Sequence, residues 1–235
     1  MAPDLCMTVG SSSYVTGLFL VPVAAARAVV PDDYFTVAEV FPGRAVFFIG
    51  SGEFRDSDIG PYNELYIGFY TENRERGPSS NMARNAAELV RNRSRMFMWK
   101  NWLSSGTALE RMDEAGAELF RLGDVRREDH DGRVTMSMEH DTEGAIRYTV
   151  PHQSRHTKRG FSLTKTHYGR LHGVPSRLQL DLDIEHMVTH PRLGELDMQG
   201  AVAEECAALG VLDAKPLASV WIEEMGFDMH KPVAL

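Results

Sequence analysis

Apolar and polar residues alternate along "FSLTKTHYGRLHG" (161–173) and "SRLQLDLDIEHMVTH" (176–190), as they do in half-buried β-strands. The same chemistry recurs along most of the chain. "FTVAEVFPG" and "RAVFFIGSGEF" are joined by a Pro-Gly turn, and "DIGPYNELYIGFYTE" follows a Gly-Pro turn. "SRMFMWKNWL", "ELFRLGDVRRE", "GRVTMSMEHD", "GAIRYTVPHQ" and "ASVWIEEMGFDMH" also read as strands, with an Asp-Gly turn at 131–132. The residues near 14–21 read as one more. Three segments break the pattern. Pro22 suits a first helical position, which gives a short helix near 22–30 stopped by Pro31. In "SSGTALERMDEAGAEL", Ala108, Leu109, Met112 and Ala115 recur at helical spacing, with Ser105 or Thr107 as cap. "ELDMQGAVAEECAALGV" is expected as a surface helix ending at Gly210. Between them, 73–93 is a polar connection with a helical turn in "NMARNAAELV".

The expected fold is therefore mainly β (α+β), one domain over 1–235 with about three short helices. A closed or nearly closed antiparallel barrel buries this much strand without leaving edges, and such barrels often hold a small-molecule cavity. Composition agrees, with 43% hydrophobic and 25% charged residues.

Several function classes are disfavoured. A net charge of −8 argues against nucleic acid, and the basic clusters "RNRSR" (91–95) and "RHTKR" (155–159) read as solvated surface. "YVTGLFLVPVAAARAVV" has no basic residue before it and is interrupted by Pro22 and Arg27, so it is expected neither as a signal peptide nor as a membrane span. Cys6 and Cys206 form no disulfide framework or metal spacing, which fits a cytoplasmic protein. No Gly-rich phosphate loop leads a strand into a helix, and no cofactor is expected. His152 with His156, and His186 with His190, have a spacing that binds zinc on a helix. On strands these pairs lie ~13 Å apart along the chain, so no metal is expected. Ser11 to Ser13 form no nucleophile elbow.

One charge stands out. In the strand from "DIGPYNELYIGFY", Tyr62, Glu64, Tyr66 and Tyr70 share a face, while Asn63, Leu65, Ile67 and Phe69 share the other. The second face should meet a hydrophobic layer. The first is either the wall of a ligand cavity or a solvated face. In a cavity, a carboxylate without a cation has a raised pKa and serves as an acid or base near neutral pH.

Four stretches resemble the acetoacetate decarboxylase-like superfamily: "VPVAAARAVVPDDYFTVAE", "DIGPYNELYIGFY" with its Gly-x-Tyr-x-Glu pattern, "LSSGTALERMDEAGAELFRLGDV", and "THPRLGELDMQGAVAEECAALGVLDAKPLASVWIEEMGF". The resemblance spans nearly the whole chain. It implies a cone-like antiparallel β-barrel with a central cavity, assembly as a homo-oligomer, and an active-site role for Glu64. It also implies a Schiff-base lysine after the helix, and that lysine is missing. Phe120 stands at the corresponding position with Leu119 before it, and no lysine lies between Lys100 and Lys158. The family's N-terminal arginine is replaced by Ser12 or a neighbour, and an acidic residue of the preceding strand is replaced within "VFFIG".

Lys100 is the possible substitute. Met96, Met98, Lys100 and Trp102 alternate onto one face of "MFMWKNWL", which either enters the barrel or lets the lysine stem run out to solvent. The expected activity is dehydration, cyclisation or aldol-type chemistry on a β-keto or polyketide-like carbonyl substrate, with Glu64 moving protons. Tyr62 and Tyr66 would orient the substrate, and Met98, Trp99, Trp102 and Phe120 would shape the pocket. His140, on one face with Met136 and Met138, is either a cavity acid/base or a turn histidine. The alternatives are a β-keto acid decarboxylase using Lys100 as its amine, and a non-catalytic carrier or sensor of an apolar carbonyl compound.

Overall fold

A computed structural model describes residues 5–30, 34–72, 81–91, 93–114 and 119–235. Pro31, Ala115 and residues 73–80 of the polar connection lie outside the described residues. The elements run β1 (Leu5–Pro22), α1 (Val23–Val29), β2 (Glu39–Phe41), β3 (Arg44–Ser57), β4 (Tyr62–Thr71), α2 (Met82–Val90), β5 (Arg95–Leu103), α3 (Gly106–Glu114) and β6 (Phe120–Leu122). Then follow β7 (Asp124–His130), β8 (Arg133–His140), β9 (Gly144–Pro151), β10 (His156–Leu171), β11 (Val174–Pro191), β12 (Glu195–Gln199), α4 (Ala201–Ala207), β13 (Ala218–His230) and β14 (Val233–Ala234).

Local chemistry sets these boundaries. Asp131-Gly132 and His172-Gly173 have positive φ at both positions (51° and 71°, 49° and 75°), which lets two-residue turns close the β7–β8 and β10–β11 hairpins. Ser105 accepts the Ala108 amide at 3.3 Å, and Asn81 accepts that of Arg84 at 3.1 Å, so α3 and α2 each begin on a side-chain cap. Four helices are described against about three expected. "ELDMQ" corrects the expected long surface helix: it pairs with β9 as β12, and only Ala201–Ala207 is helical. Gly200, with φ 75°, makes the corner between the two.

The main sheet runs β1-β13-β11-β10-β5-β4-β3-β2, with β14 added on β11 and β6 on β5. β1 also pairs with β3, so the chain of pairings returns on itself as a ring. Its pairings are antiparallel except β5 with β10 and β5 with β6, which corrects the purely antiparallel expectation. Both exceptions join strands separated by a crossover, through α3 for β6 and through α3, β6 and the β7–β9 strands of the second sheet for β10. Parallel pairing requires such a connection.

The second sheet, β12-β9-β8-β7, packs on the outer face of the ring. Leu65, Ile67 and Phe69 of β4 meet Phe19, Phe47 and Trp102 there, together with Val134, Met136, Met138 and Tyr148 of the second sheet and Val202 and Cys206 of α4. The apolar face predicted for β4 thus supplies the layer between the two sheets. Its other face looks into the ring.

Candidate active site

Inside the ring lies a cavity of about 290 Å³. Tyr62, Glu64, Tyr66 and Tyr70 of β4 all line it, as do Met96 and Met98 of β5. Opposite stand Leu180, Leu182 and Ile184 of β11 with Ile222, Met225 and Phe227 of β13. Met112 of α3, Leu119 and Phe120 also line the cavity, so an aromatic ring occupies the position where the resemblance implies an amine.

Gly50 of β3 makes room for the aromatic wall. A Cβ on Gly50 would stand 2.5 Å from the Tyr14 hydroxyl and 2.7 Å from the Tyr66 ring, so both side chains fold across a strand that has none of its own there. The Tyr14 and Tyr66 rings lie 6.1 Å apart, and Phe48 meets Tyr66 edge-on at 5.8 Å. Burial raises the Tyr66 hydroxyl well above the usual phenol range and that of Tyr70 to about 12. Both remain protonated donors at neutral pH.

Glu64 is enclosed by protein, and the surface it keeps faces the cavity. Desolvation pushes its pKa up to about 7, and a hydrogen bond from Asn101 partly opposes the rise. Asn101 Nδ2 donates to Glu64 Oε1 at 2.5 Å, while Asn101 Oδ1 is buried without a hydrogen-bond partner among the described residues. Ser51 Oγ donates to the Glu64 main-chain carbonyl at 2.5 Å and fixes the strand beneath it. The amide suits either protonation state. As placed it serves the carboxylate, and turned over it would present Oδ1 to a carboxylic acid.

Lys100 does not line the cavity. A bulge puts Trp99 opposite no β4 residue: Met98 pairs with Gly68 and Lys100 with Ile67. One extra residue reverses the alternation. Asn101 therefore turns inward and Lys100 outward, where it meets Glu205 at 2.8 Å and Glu143 at 3.4 Å. Arg121 binds the other oxygen of Glu143 at 2.5 Å. Trp102 is fully buried between the sheets and Trp99 packs against the same layer, so neither shapes the pocket. His140 sits at the end of β8 beside Thr142, away from the cavity.

The structure thus brings Tyr62, Glu64, Tyr66, Met98 and Phe120 together and leaves Lys100, Trp99, Trp102 and His140 outside. Sequence reasoning missed several polar residues of this region, among them Asn101, Lys165 and His167. Asn101 was hidden by the bulge. Lys165 and His167 line the cavity from β10. Their signal was the one that marked Glu64, since Phe161, Leu163, Lys165 and His167 occupy alternate positions of one strand and the last two are basic. Desolvation lowers Lys165 to about 8. Desolvation, with Lys165 nearby, lowers His167 to about 3, which keeps its ring neutral.

The enzyme MppR of enduracididine biosynthesis superposes with a TM-score of 0.64 at 12% identity, over 100% of this chain and 89% of that one. An acetoacetate decarboxylase from Legionella pneumophila gives 0.67 at 11% identity, over 97% and 86%. The chain has the acetoacetate decarboxylase-like fold. An acetoacetate decarboxylase-like enzyme from Sphingomonas wittichii RW1 gives 0.61 at 13% identity, over 99% and 93%. MppR has also been solved with the condensation product of pyruvate and imidazole 4-carboxaldehyde, and that structure gives 0.62 at 13% identity, over 100% and 90%. No protein-family model matches the sequence, and no curated protein is a significant match. Among the described residues, no helix is long and apolar enough to cross a membrane.

Proposed function

We propose that the protein is a lyase or cyclase acting on a β-keto or polyketide-like carbonyl compound, by acid/base catalysis at Glu64 and without the decarboxylase lysine. The observation that carries this reading is one carboxyl among the described lining residues, poised near pH 7 by burial, in an apolar cavity walled by tyrosines. The ring of strands is taken as a closed, cone-like barrel around that cavity.

For a β-hydroxy carbonyl substrate the step balances as follows. The Glu64 carboxylate removes a proton from the carbon beside the carbonyl, and a tyrosine hydroxyl donates to the carbonyl oxygen as charge moves onto it. The carbon–carbon double bond forms as the carbon–oxygen bond at the β position breaks. Glu64 returns its proton to the departing hydroxide, which leaves as water. An aldol-type addition would start from the same proton abstraction. The enolate carbon attacks a second carbonyl, the new carbon–carbon bond forms as that carbonyl's π bond opens, and Glu64 returns its proton to the resulting alkoxide. The condensation product bound by MppR is in keeping with such chemistry on this fold.

Glu64→Gln tests the reading. Turnover should fall by on the order of a hundredfold or more, the scale of positioned acid/base catalysis, while substrate binding is retained. Unchanged turnover of an established substrate would remove Glu64 from the mechanism, and binding without turnover in the natural protein would make it a carrier. Assembly of identical chains and a cytoplasmic setting belong to the same proposal. Light scattering and cell fractionation test them.

A further inference from the structure

The cavity has a second polar end. On β10 the side chains of Lys165 and His167 enter it from alternate positions, so their Cα atoms are about 7 Å apart on one face. Apolar residues flank the pair, since Leu163 precedes it on β10 and Leu178 and Leu180 pair with His167 and Lys165 from β11, while Arg170 and Ser176 line the cavity further along these two strands. His167 is only 7% exposed, and its Nδ1 has no hydrogen-bond partner among the described residues. That nitrogen is packed away from the cavity, and it is the rest of the ring that lines the wall, where an imidazole among apolar side chains offers a polar edge for a ligand to pair with. Neither residue is among the groups that shift Glu64, whose carboxyl is raised by burial and lowered by Asn101.

We infer that Lys165 and His167 form an anchor for the carboxylate of an amphipathic substrate, whose apolar chain fills the cavity. The ammonium of Lys165 donates to one carboxylate oxygen and the neutral ring of His167, through a nitrogen-bound hydrogen, to the other. At pH 7 an amine with a pKa of about 8 is mostly charged, and a neutral imidazole is a donor that adds no second cation to desolvate. The apolar walls exclude water from the ion pair and favour a ligand with an uninterrupted hydrocarbon chain. The anchor deepens the proposed function: it makes the carbonyl substrate an apolar acid. It rests on that reading only in taking this cavity as the substrate site.

Binding distinguishes the two ideas because it needs no turnover. Octanoate, methyl octanoate and octan-1-ol are titrated calorimetrically into the full chain. The natural protein should bind octanoate at least about tenfold more tightly than the ester or the alcohol, the scale of one charge-assisted hydrogen bond. Lys165→Met should abolish that preference and leave the affinity for methyl octanoate unchanged, which also shows that the variant folds. His167→Phe should reduce the preference, and Glu64→Gln should keep it even if turnover is lost. The anchor is overturned if the natural protein does not discriminate octanoate from its ester, or if Lys165→Met still does. It is also overturned if borohydride traps 2-oxooctanoate covalently on Lys165, since that amine would then be a nucleophile.

Discussion

Glu64 gains a proton affinity that an unfolded chain lacks, and the sign of the consequence is fixed. Its pKa rises from 4.5 to about 7 on folding because the ionised form loses water that one amide hydrogen bond only partly replaces. The folded state therefore holds the proton more tightly than the unfolded state between those values. The Glu64 contribution to stability is most favourable below pH 4.5, falls as pH rises through the window, and is least favourable above pH 7. Glu64→Gln should remove that dependence. Urea titrations at pH 5 and pH 8 should show the variant gaining on the natural protein by up to about 3 kcal/mol at the higher pH, given ~1.4 kcal/mol per pKa unit. Asn101 acts in the opposite direction. Asn101→Leu removes the hydrogen bond that stabilises the carboxylate, so the Glu64-dependent limb of a pH–rate profile should move above pH 7. A downward shift would mean that Asn101 instead serves the protonated acid.

The alternation of β4 was legible because nothing interrupts it: Tyr62, Glu64, Tyr66 and Tyr70 fall on one face in sequence and in space. β5 misled because a strict period of two was carried through a strand that contains an extra residue. The sign of that irregularity lies on its neighbour. Gly68 is the one residue on the cavity face of β4 without a side chain, and a Cβ there would stand 2.1 Å from the Phe97 carbonyl oxygen. A glycine inside a strand marks a close backbone approach or a bulge. Had it been read that way, Asn101 and Lys100 would have changed places in the prediction. "ELDMQ" failed for a different reason, since β12 gains its strand character from pairing with β9, a contact that no local pattern encodes. Lys165 and His167 meet the criterion that marks Glu64, a charged or basic side chain on an otherwise apolar strand face, but they lie outside the stretch between Lys100 and Lys158 to which the family's lysine motif points. The bulge yields a direct test. Gly68→Ala must push β4 and β5 apart, and a loss of roughly 1–3 kcal/mol in stability is expected from such overpacking. Turnover should fall as well, because Asn101 would leave Glu64. Lys100→Met should leave turnover within a few-fold while lowering stability, because it strips Glu205 and Glu143 of a cation on the opposite face.

At the scale of the molecule, the ring is unevenly sealed. β1 and β3 pair from Val9–Ser57 to Pro22–Arg44, and β10 and β11 pair along their whole common length. β5 and β10 meet only where Thr166, His167 and Tyr168 face Arg95, Met96 and Phe97. Few ladder bonds hold this seam, and parallel pairing is slightly weaker per residue than antiparallel. Local opening draws on such weakly held segments, while strands buried on both sides exchange their amides only on global unfolding. Amides of 166–168 should therefore exchange with deuterium well before those of 46–49, which lie in β3 with β1 on one side and, from Phe47 onward, β4 on the other. The seam also carries His167, whose ring looks into the cavity beside Met96 of the facing strand. A ligand held there gains its contacts only while β5 and β10 stay paired, so it must favour the sealed state in proportion to its affinity. Octanoate at about a hundred times its dissociation constant should slow exchange at 166–168 by up to roughly a hundredfold and leave 46–49 unaltered. If both segments slow equally, the ligand stabilises the fold as a whole and the seam is no gate. If neither slows, the carboxylate does not reach β10.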